Sequence, residues 1–214
     1  MKEKIKEFVP KRIFIQLLIL LAGQLLSYYG AKMIIENRPH VYIALPIDEL
    51  IPFIPCTILI YYGCFLFWLY NYTVILKTEP EGTYRFLSAE LLGKLICFMS
   101  YVLIPTVMIR PEVNNSGIFS TAIGLMYSMD APDALFPSMH CFVSWMCVVG
   151  LRGKPEISKK HRNLSIIAAV LVFVATLTTK QHVVVDVISG IILAELVYFI
   201  AGLFTKKVPA PEHI

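Results

Sequence analysis

Apolar blocks separated by short polar connections dominate the pattern along this chain. The hydrocarbon core of a bilayer takes about 20 apolar residues per helix, and the blocks approach or exceed that length. The predicted spans cover residues 13–35, 53–76, 89–109, 137–151, 163–181 and 183–204. The pattern therefore predicts an all-α fold, an integral membrane bundle of six transmembrane helices that forms a single domain over residues 1–214.

The longest connection, residues 110–136, combines polar residues with an apolar patch over residues 118–129. The patch is too short to cross a bilayer, so we interpret it as a helical segment that lies at the membrane interface. The simplest interpretation is that this segment covers a functional site, and the alternative is that it forms a gate that admits lipid. Asp130 and Asp133, which follow the patch, are interpreted as residues that shape a turn.

Composition agrees with a membrane domain. Hydrophobic residues make up 57% of the chain and charged residues only 16%, which is more apolar than a soluble domain. The net charge of +4 is modest and is better explained by membrane topology than by nucleic-acid binding. We therefore predict the lipid bilayer as a partner and no nucleic acid, while the pattern contains no signal for an oligomeric state.

The distribution of Lys and Arg predicts the orientation. Of the 19 such residues, 14 lie in the two terminal segments and in the loops after the second and fourth spans, whereas 4 lie on the opposite side. By the positive-inside rule, both termini of this multi-pass cell-membrane protein are cytoplasmic. Arg110, the stretch from Pro137 to His140 and the stretch from Lys180 to Asp186 then all fall at extracytoplasmic ends of spans.

A histidine and a carboxylate, His182 and Asp186, stand four residues apart within apolar sequence. On a helix they would share one face, which lets the carboxylate orient the imidazole. Ionisable groups are costly in a membrane segment and indicate function, although a polar helix start satisfied by nearby loops is the simpler alternative. We expect His182 to act as a nucleophile on phosphorus and His140 to protonate the leaving oxygen.

Other polar residues at the same side suit a phosphate group. Arg110 and Lys180 supply positive charge, and Ser138 lies with backbone amides at a predicted helix N-terminus. Each also has a simpler structural explanation: an interfacial anchor for Arg110, snorkelling for Lys180 and helix capping for Ser138. We predict no metal and no cofactor. A metal held by both histidines and Asp186 is conceivable, but the basic neighbours disfavour it.

Three motifs in this order resemble those of the type-2 phosphatidic acid phosphatase superfamily: Arg110–Pro111, the Pro137–His140 stretch, and His182 followed by Asp186. The resemblance extends over roughly residues 47–203. It implies a six-helix, metal-independent membrane enzyme that removes or transfers phosphate on lipids. It also implies a role for each matching residue: nucleophile for His182, its partner Asp186, general acid His140, and phosphate contacts for Arg110 and Ser138.

The chain departs from the family pattern in each of the three motifs. Leu103 stands where the first motif has a lysine, Ala175–Thr176 where the third has Ser-Arg, and Met139 where a glycine is common. Two cations of the usual phosphate cage are thus replaced, and Lys180 is the predicted substitute. The pattern is similar to the branch that contains inositol phosphorylceramide and sphingomyelin synthases, which transfer a phosphorylated headgroup to an alcohol.

Three functional hypotheses follow. The first is a metal-independent lipid phosphatase that hydrolyses a phosphomonoester or diphosphate, of the phosphatidic acid, phosphatidylglycerol phosphate or polyprenyl diphosphate type, through a phosphohistidine. The second is a lipid headgroup phosphotransferase, and the third is a non-catalytic lipid-binding membrane protein. Of the possible acceptors of the phosphoryl group, water is preferred. None of the motifs recognises the hydrocarbon chain of the lipid, so they do not identify which lipid is the substrate.

Overall fold

The computed structural model describes residues 10–114 and 117–205, and most of these residues are helical. The basic residues nearest the two ends of the chain, which contribute to the orientation prediction, lie outside this range. The helices are α1 (Lys11–Ile35), α2 (Pro46–Leu50), α3 (Ile58–Leu76), α4 (Pro80–Leu103), α5 (Ile118–Met129), α6 (Met139–Gly150), α7 (Lys159–Thr178) and α8 (Val184–Thr205). Strands β1 (Val41–Tyr42) and β2 (Thr106–Val107) pair in parallel.

Within residues 10–114 and 117–205, five helices are long and apolar enough to cross a membrane: α1, α3 together with the 3₁₀ turn before it (Pro55–Thr57), α4, α7 and α8. Their outward faces carry many exposed large apolar side chains, as a lipid-facing surface requires. The predicted fourth span corresponds to α6, which has 12 residues and is about 18 Å long. The mainly helical fold and its candidate membrane spans agree with the all-α membrane prediction. The count of six spans is not confirmed, because α6 is shorter than the predicted 137–151 span.

Helix α4 differs from the predicted third span, residues 89–109, at both ends. It begins at Pro80, within a segment predicted as a turn, because proline suits a first helical turn. One polar residue of this segment is satisfied by α8: Arg85 donates to the Tyr198 carbonyl at 2.9 and 3.0 Å. The helix ends at Leu103, since Pro105 has no N–H and cannot extend it, and β2 follows.

The short helix α6 lies at the centre of the bundle, in contact with α3, α4, α7 and α8. All of its residues are buried except His140 and Trp145, which are partly exposed. Gly93 of α4 permits this packing, because a Cβ at that position would lie 2.1 Å from the Phe142 ring. The element that begins at the Pro137–His140 motif is therefore held rigidly by its neighbours.

The N-terminal ends of α6 and α8 are joined directly. The Ser138 amide donates to the Asp186 carbonyl at 3.0 Å, and a Cβ on Gly190 would lie 2.7 Å from the Ser138 carbonyl oxygen. Only glycine permits so close an approach of the two backbones. Two motifs that are far apart in sequence therefore meet at one point.

Helix α5 covers residues 118–129, the range of the predicted interfacial segment. Its buried residues Ile123 and Met126 pack with Ile58, Tyr61 and Ala175. The segment thus forms a helix against the ends of α3 and α7, and its location at the membrane interface remains a prediction.

Candidate active site

His182 and Asp186 are in contact at the start of α8. Asp186 occupies the first turn, and its Oδ2 accepts hydrogen bonds from the Val183 amide at 3.0 Å and from Nδ1 of His182 at 3.3 Å. His182 itself precedes the helix, so the pair forms at a helix N-terminus rather than along one helical face as predicted. A proton on Nδ1 directed at the carboxylate leaves the Nε2 lone pair available for attack.

His140 lies opposite, in the first turn of α6, and its ring centroid is 5.8 Å from that of His182. Tyr61 and Trp68 of α3 pack against the His140 ring at centroid distances of 4.6 and 5.5 Å. These aromatic rings restrict the His140 imidazole to the side that faces His182. The two predicted catalytic histidines are therefore brought together from separate helices.

Both histidines line a cavity of about 300 Å³. Its wall includes residues from α1, α3, α4, α5 and the loops next to α6 and α8. The polar members are Gln24, Tyr28, Tyr29, Tyr61, Tyr62, Tyr101, Asp130, Asp133 and Gln181, together with the two histidines. The cavity is large enough for a phosphorylated headgroup, and its chemistry is concentrated where α6 and α8 begin.

Arg110 does not line the cavity itself but bonds Gln181, which does. Its Nη2 donates to Oε1 of Gln181 at 2.8 Å, its Nη1 donates to the Asp130 carbonyl, and its guanidinium lies 4.5 Å from the Tyr127 ring centroid. Burial lowers the pKa of Arg110 below its usual value, although Asp130 opposes this effect. Arg110 is thus fixed beside the site and is in contact with Gln181, which lines the cavity.

Gln181 was not predicted from the sequence. Its side chain is buried, and within the described residues its Nε2 has no hydrogen-bond partner. Because Arg110 occupies Oε1, the amide NH₂ group is the end left to donate to a ligand. The available signal was its position next to His182, which gives no direct indication of a role.

Ser138 is the N-cap of α6, and its Oγ accepts from the Cys141 amide at 3.2 Å. The side chain is buried and is not part of the cavity wall. The capping role that was the simpler explanation for Ser138 is therefore present. The predicted phosphate contact would fall to the first-turn amides of Met139 and His140.

The structure does not bring Lys180 into the cavity. Lys180 has a positive φ of 52°, and its Nζ donates to the carbonyls of Asp48 at 3.0 Å and Ile51 at 2.6 Å. Asp48 in turn accepts from the Val184 amide at 2.8 Å. These bonds attach the α2 segment to the start of α8. Lys180, predicted to bind substrate, instead holds two backbone segments together, because unpaired carbonyls at the end of α2 offer it buried acceptors.

The first helix supplies a cation that the sequence argument did not assign to the site. Lys32 of α1 lies 3.1 Å from an Asp130 carboxylate oxygen and 2.9 Å from an Asp133 carboxylate oxygen, and Tyr28 donates to Asp130. Asp130 and Asp133 also line the cavity. These two residues, interpreted from sequence as turn formers, therefore connect α1 to the loop before α6.

A comparison with protein families gives a match to the PAP2 superfamily over residues 52–200. The chain belongs to the PAP2 superfamily. The match covers more than half of the chain and contains all three motifs, from Arg110 to Asp186. At the level of this family, the protein is a phosphatase-type lipid enzyme. A search of curated proteins found no match.

The PAP2 match begins at residue 52, so α1 and α2 lie outside it. Lys32 and Tyr28 on α1 therefore lie outside the residues that the family model matches. The replaced family positions offer no cation: Leu103 is exposed at the end of α4, and Thr176 is buried, with its hydroxyl donating to the Phe173 carbonyl at 2.8 Å. Among residues 10–114 and 117–205, no group of three or more His, Cys, Asp or Glu side chains is arranged to hold a metal ion.

Proposed function

We propose that this PAP2 superfamily member is a lipid phosphatase that transfers the phosphoryl group of a membrane lipid to His182 and then to water. The observation that carries the proposal is the arrangement of His182, oriented by Asp186 at 3.3 Å, with its ring centroid 5.8 Å from that of His140 in one cavity. One imidazole is oriented as a nucleophile, and the second is placed to serve the leaving group.

The reaction follows from this geometry in two displacements. The Nε2 atom of His182 attacks phosphorus, the bond from phosphorus to the lipid oxygen breaks, and His140 gives its proton to that oxygen. His140 then takes a proton from water as the water oxygen attacks phosphorus and the P–N bond breaks. Inorganic phosphate leaves, and His182 and His140 return to their starting protonation states.

Charge on the phosphoryl oxygens would be stabilised by fixed donors. These are the first-turn amides of α6 and the Nε2 group of Gln181, whose orientation is set by Arg110. Preorganised donors of this kind stabilise the transition state because they need little reorganisation as charge develops. The proposed chemistry requires no metal, because histidines supply both the nucleophile and the acid.

We also propose the topology. Both termini would be cytoplasmic, and α6 would complete a six-crossing bundle as a short fourth element buried among longer helices. Its limited length would place the histidines below the extracytoplasmic surface, near the depth of lipid headgroups. The support is the excess of Lys and Arg on the side of the termini.

Purified protein in detergent, assayed for inorganic phosphate, tests the proposal. The substrates are phosphatidic acid, phosphatidylglycerol phosphate and a polyprenyl diphosphate, each with and without EDTA. We expect release that survives EDTA, is lost in His182→Ala and is strongly reduced in His140→Ala, because His140 serves both displacements. His161→Ala is the matched control, because His161 bonds Asn71 at 3.0 Å, away from the cavity. Activity that EDTA abolishes and magnesium restores would contradict the mechanism.

A headgroup phosphotransferase is the second candidate, and the cavity gives it specific support. Asp130 and Asp133 line the wall, and neither Leu103 nor Thr176 offers a positive charge. A phosphomonoester dianion is repelled by carboxylates more strongly than a phosphodiester monoanion is, so an esterified headgroup suits this wall better. The test supplies diacylglycerol or ceramide with a phosphodiester lipid. Headgroup transfer to the acceptor faster than release of the free phosphorylated headgroup to water would support the transferase, and release to water alone across the acceptors would reject it.

A further inference from the structure

A large apolar groove runs along the outside of the bundle between α1 and α3. Its volume is about 1180 Å³, and its lining is almost entirely hydrocarbon. It exists because α1 packs chiefly against α4 and touches α3 only sparsely. Residues such as Trp68 and Val143 form a buried floor, whereas Leu66 and Leu69 stand exposed at the rim.

The groove and the histidine cavity adjoin each other. Gln24, Leu25 and Phe65 line both of them. Trp68 provides a second connection, because it forms part of the groove floor while its ring lies 5.5 Å from that of His140. A molecule that occupies the histidine cavity can therefore extend into the groove without leaving the protein surface.

The dimensions of the groove suit a hydrocarbon chain. On α1 its lining extends from Lys11 to Leu25, which is about 21 Å along the helix axis. That is about two thirds of the hydrocarbon core of a bilayer. The basic residues Lys11 and Lys77 lie at the end remote from the histidines. The wall between the two ends is mostly apolar and includes Lys94, which is held by the Leu20 carbonyl and by Glu90.

We propose that this groove holds the hydrocarbon tail of the lipid whose phosphate binds between His140 and His182. The inference rests on the proposed function for the identity of the headgroup site. It goes further by assigning the tail to a groove along α1, a helix that the family match does not include. Tail preference then depends on α1 and α3, whereas the chemistry depends on α6 and α8.

Steric blocking of the groove tests the proposal. Leu21→Trp and Leu66→Trp place bulk at the groove, and Leu26→Trp and Leu59→Trp are the controls. The α3 pair is matched because Leu66 is 75% and Leu59 is 65% exposed, and neither control residue lines the groove or the cavity. The substrates are dioleoyl and dihexanoyl phosphatidic acid. We expect the groove variants to lower kcat/KM at least about tenfold for the long-chain substrate alone. Equal effects on both substrates, or no effect, would overturn the proposal.

Direct binding separates this proposal from the proposed function. The chain has two tryptophans, so Trp145→Phe leaves Trp68, on the groove floor, as the fluorophore. In the His182→Ala, Trp145→Phe protein, phosphatidic acid brominated on its tails should quench Trp68 with a saturable curve. Unbrominated long-chain phosphatidic acid should relieve the quenching. Quenching that rises linearly without saturation overturns the groove assignment. Wild-type protein that releases no phosphate from any lipid rejects only the proposed function.

Discussion

Nη2 of Arg110 donates a hydrogen bond to Oε1 of Gln181 at 2.8 Å, and this bond determines which end of the Gln181 amide remains for a ligand. Arg110 is the residue expected from the first motif, and Gln181 lies 71 residues further along the chain. The guanidinium thus contributes to the site by orienting a neutral donor. This relationship leads to two of the predictions below.

Gln181→Glu should lower kcat/KM for a lipid phosphate by about 10²-fold, because it replaces the amide donor with an oxygen and adds negative charge. The variant keeps an acceptor for Arg110, so the melting temperature should change little. Gln181→Met, which loses both groups, provides the comparison. Wild-type kcat/KM in Gln181→Glu would show that this side chain does not contact phosphate.

Arg110→Lys should produce a loss in the same direction, because an ammonium cannot form the planar pair of contacts to Gln181 and the Asp130 carbonyl. Combining it with Gln181→Met should add little further loss, since both changes remove one interaction. The measurement is a double-mutant cycle on kcat/KM. Arg38→Lys is the control, because Arg38 is exposed and bonds the Val102 carbonyl. Fully additive losses would mean that Arg110 acts independently of Gln181.

Asp186→Asn should reduce kcat by about 10³-fold, because an amide no longer favours the Nδ1–H tautomer of His182. The same variant should retain most of its stability, since Asn still accepts from the Val183 amide. Asp186→Ala should lose about 1 kcal/mol of unfolding free energy in addition. Thermal unfolding and the pH profile of kcat separate the two effects. Equal kcat in Asp186→Asn and wild type would reject the orienting role.

Lys180→Met should leave KM nearly unchanged, contrary to what the sequence hypothesis of phosphate binding predicts. Its loss should appear instead as looser attachment of the α2 segment, because the Asp48 and Ile51 carbonyls lose their donor. Hydrogen exchange of residues 46–51 measures this change directly. A large increase in KM with unchanged exchange would restore Lys180 to the substrate site.

Lys32→Met should lower the melting temperature by about 3 °C or more, because it leaves Asp130 and Asp133 without their cation beside the cavity. The side chains are 20–30% exposed, so solvent moderates the loss. The triple change Lys32→Met, Asp130→Asn, Asp133→Asn should recover most of the stability. No recovery in the triple variant would mean that the Lys32 stem, rather than its charge, holds α1 to this loop.

Sequence patterns predicted some elements well because local chemistry fixed their ends. Helix α5 coincides with the apolar patch at residues 118–129, since Gly117 and Asp130 interrupt the pattern on either side. The start of α4 was not predicted, because Arg85 in its early turns has its partner, the Tyr198 carbonyl, on another helix. Such a partner is visible only once the helices are packed.

The residues of the candidate site likewise divide into those that the sequence predicted and those that only the packed structure reveals. His140, His182 and Asp186 belong to motifs. The structure places both histidines on one cavity and Asp186 in contact with His182. Gln181 and Lys32 belong to no motif, and what distinguishes them is a contact with a residue 71 to 101 positions away. Lys180 carries the positive charge that a phosphate site needs and lies two residues before His182. Its backbone φ is positive, however, and its side chain bonds the α2 segment and not the cavity.

The direct joint between Ser138 and Gly190 has a mechanical consequence. Because the two helix starts touch backbone to backbone, we expect His140 and His182 to move as one body if the surrounding helices tilt. Membranes that differ in thickness or fluidity would shift α1 and the lipid it faces, while the spacing between the two imidazoles stays constant. We therefore expect the joint to keep the distance between the reacting groups independent of the physical state of the bilayer that supplies their substrate.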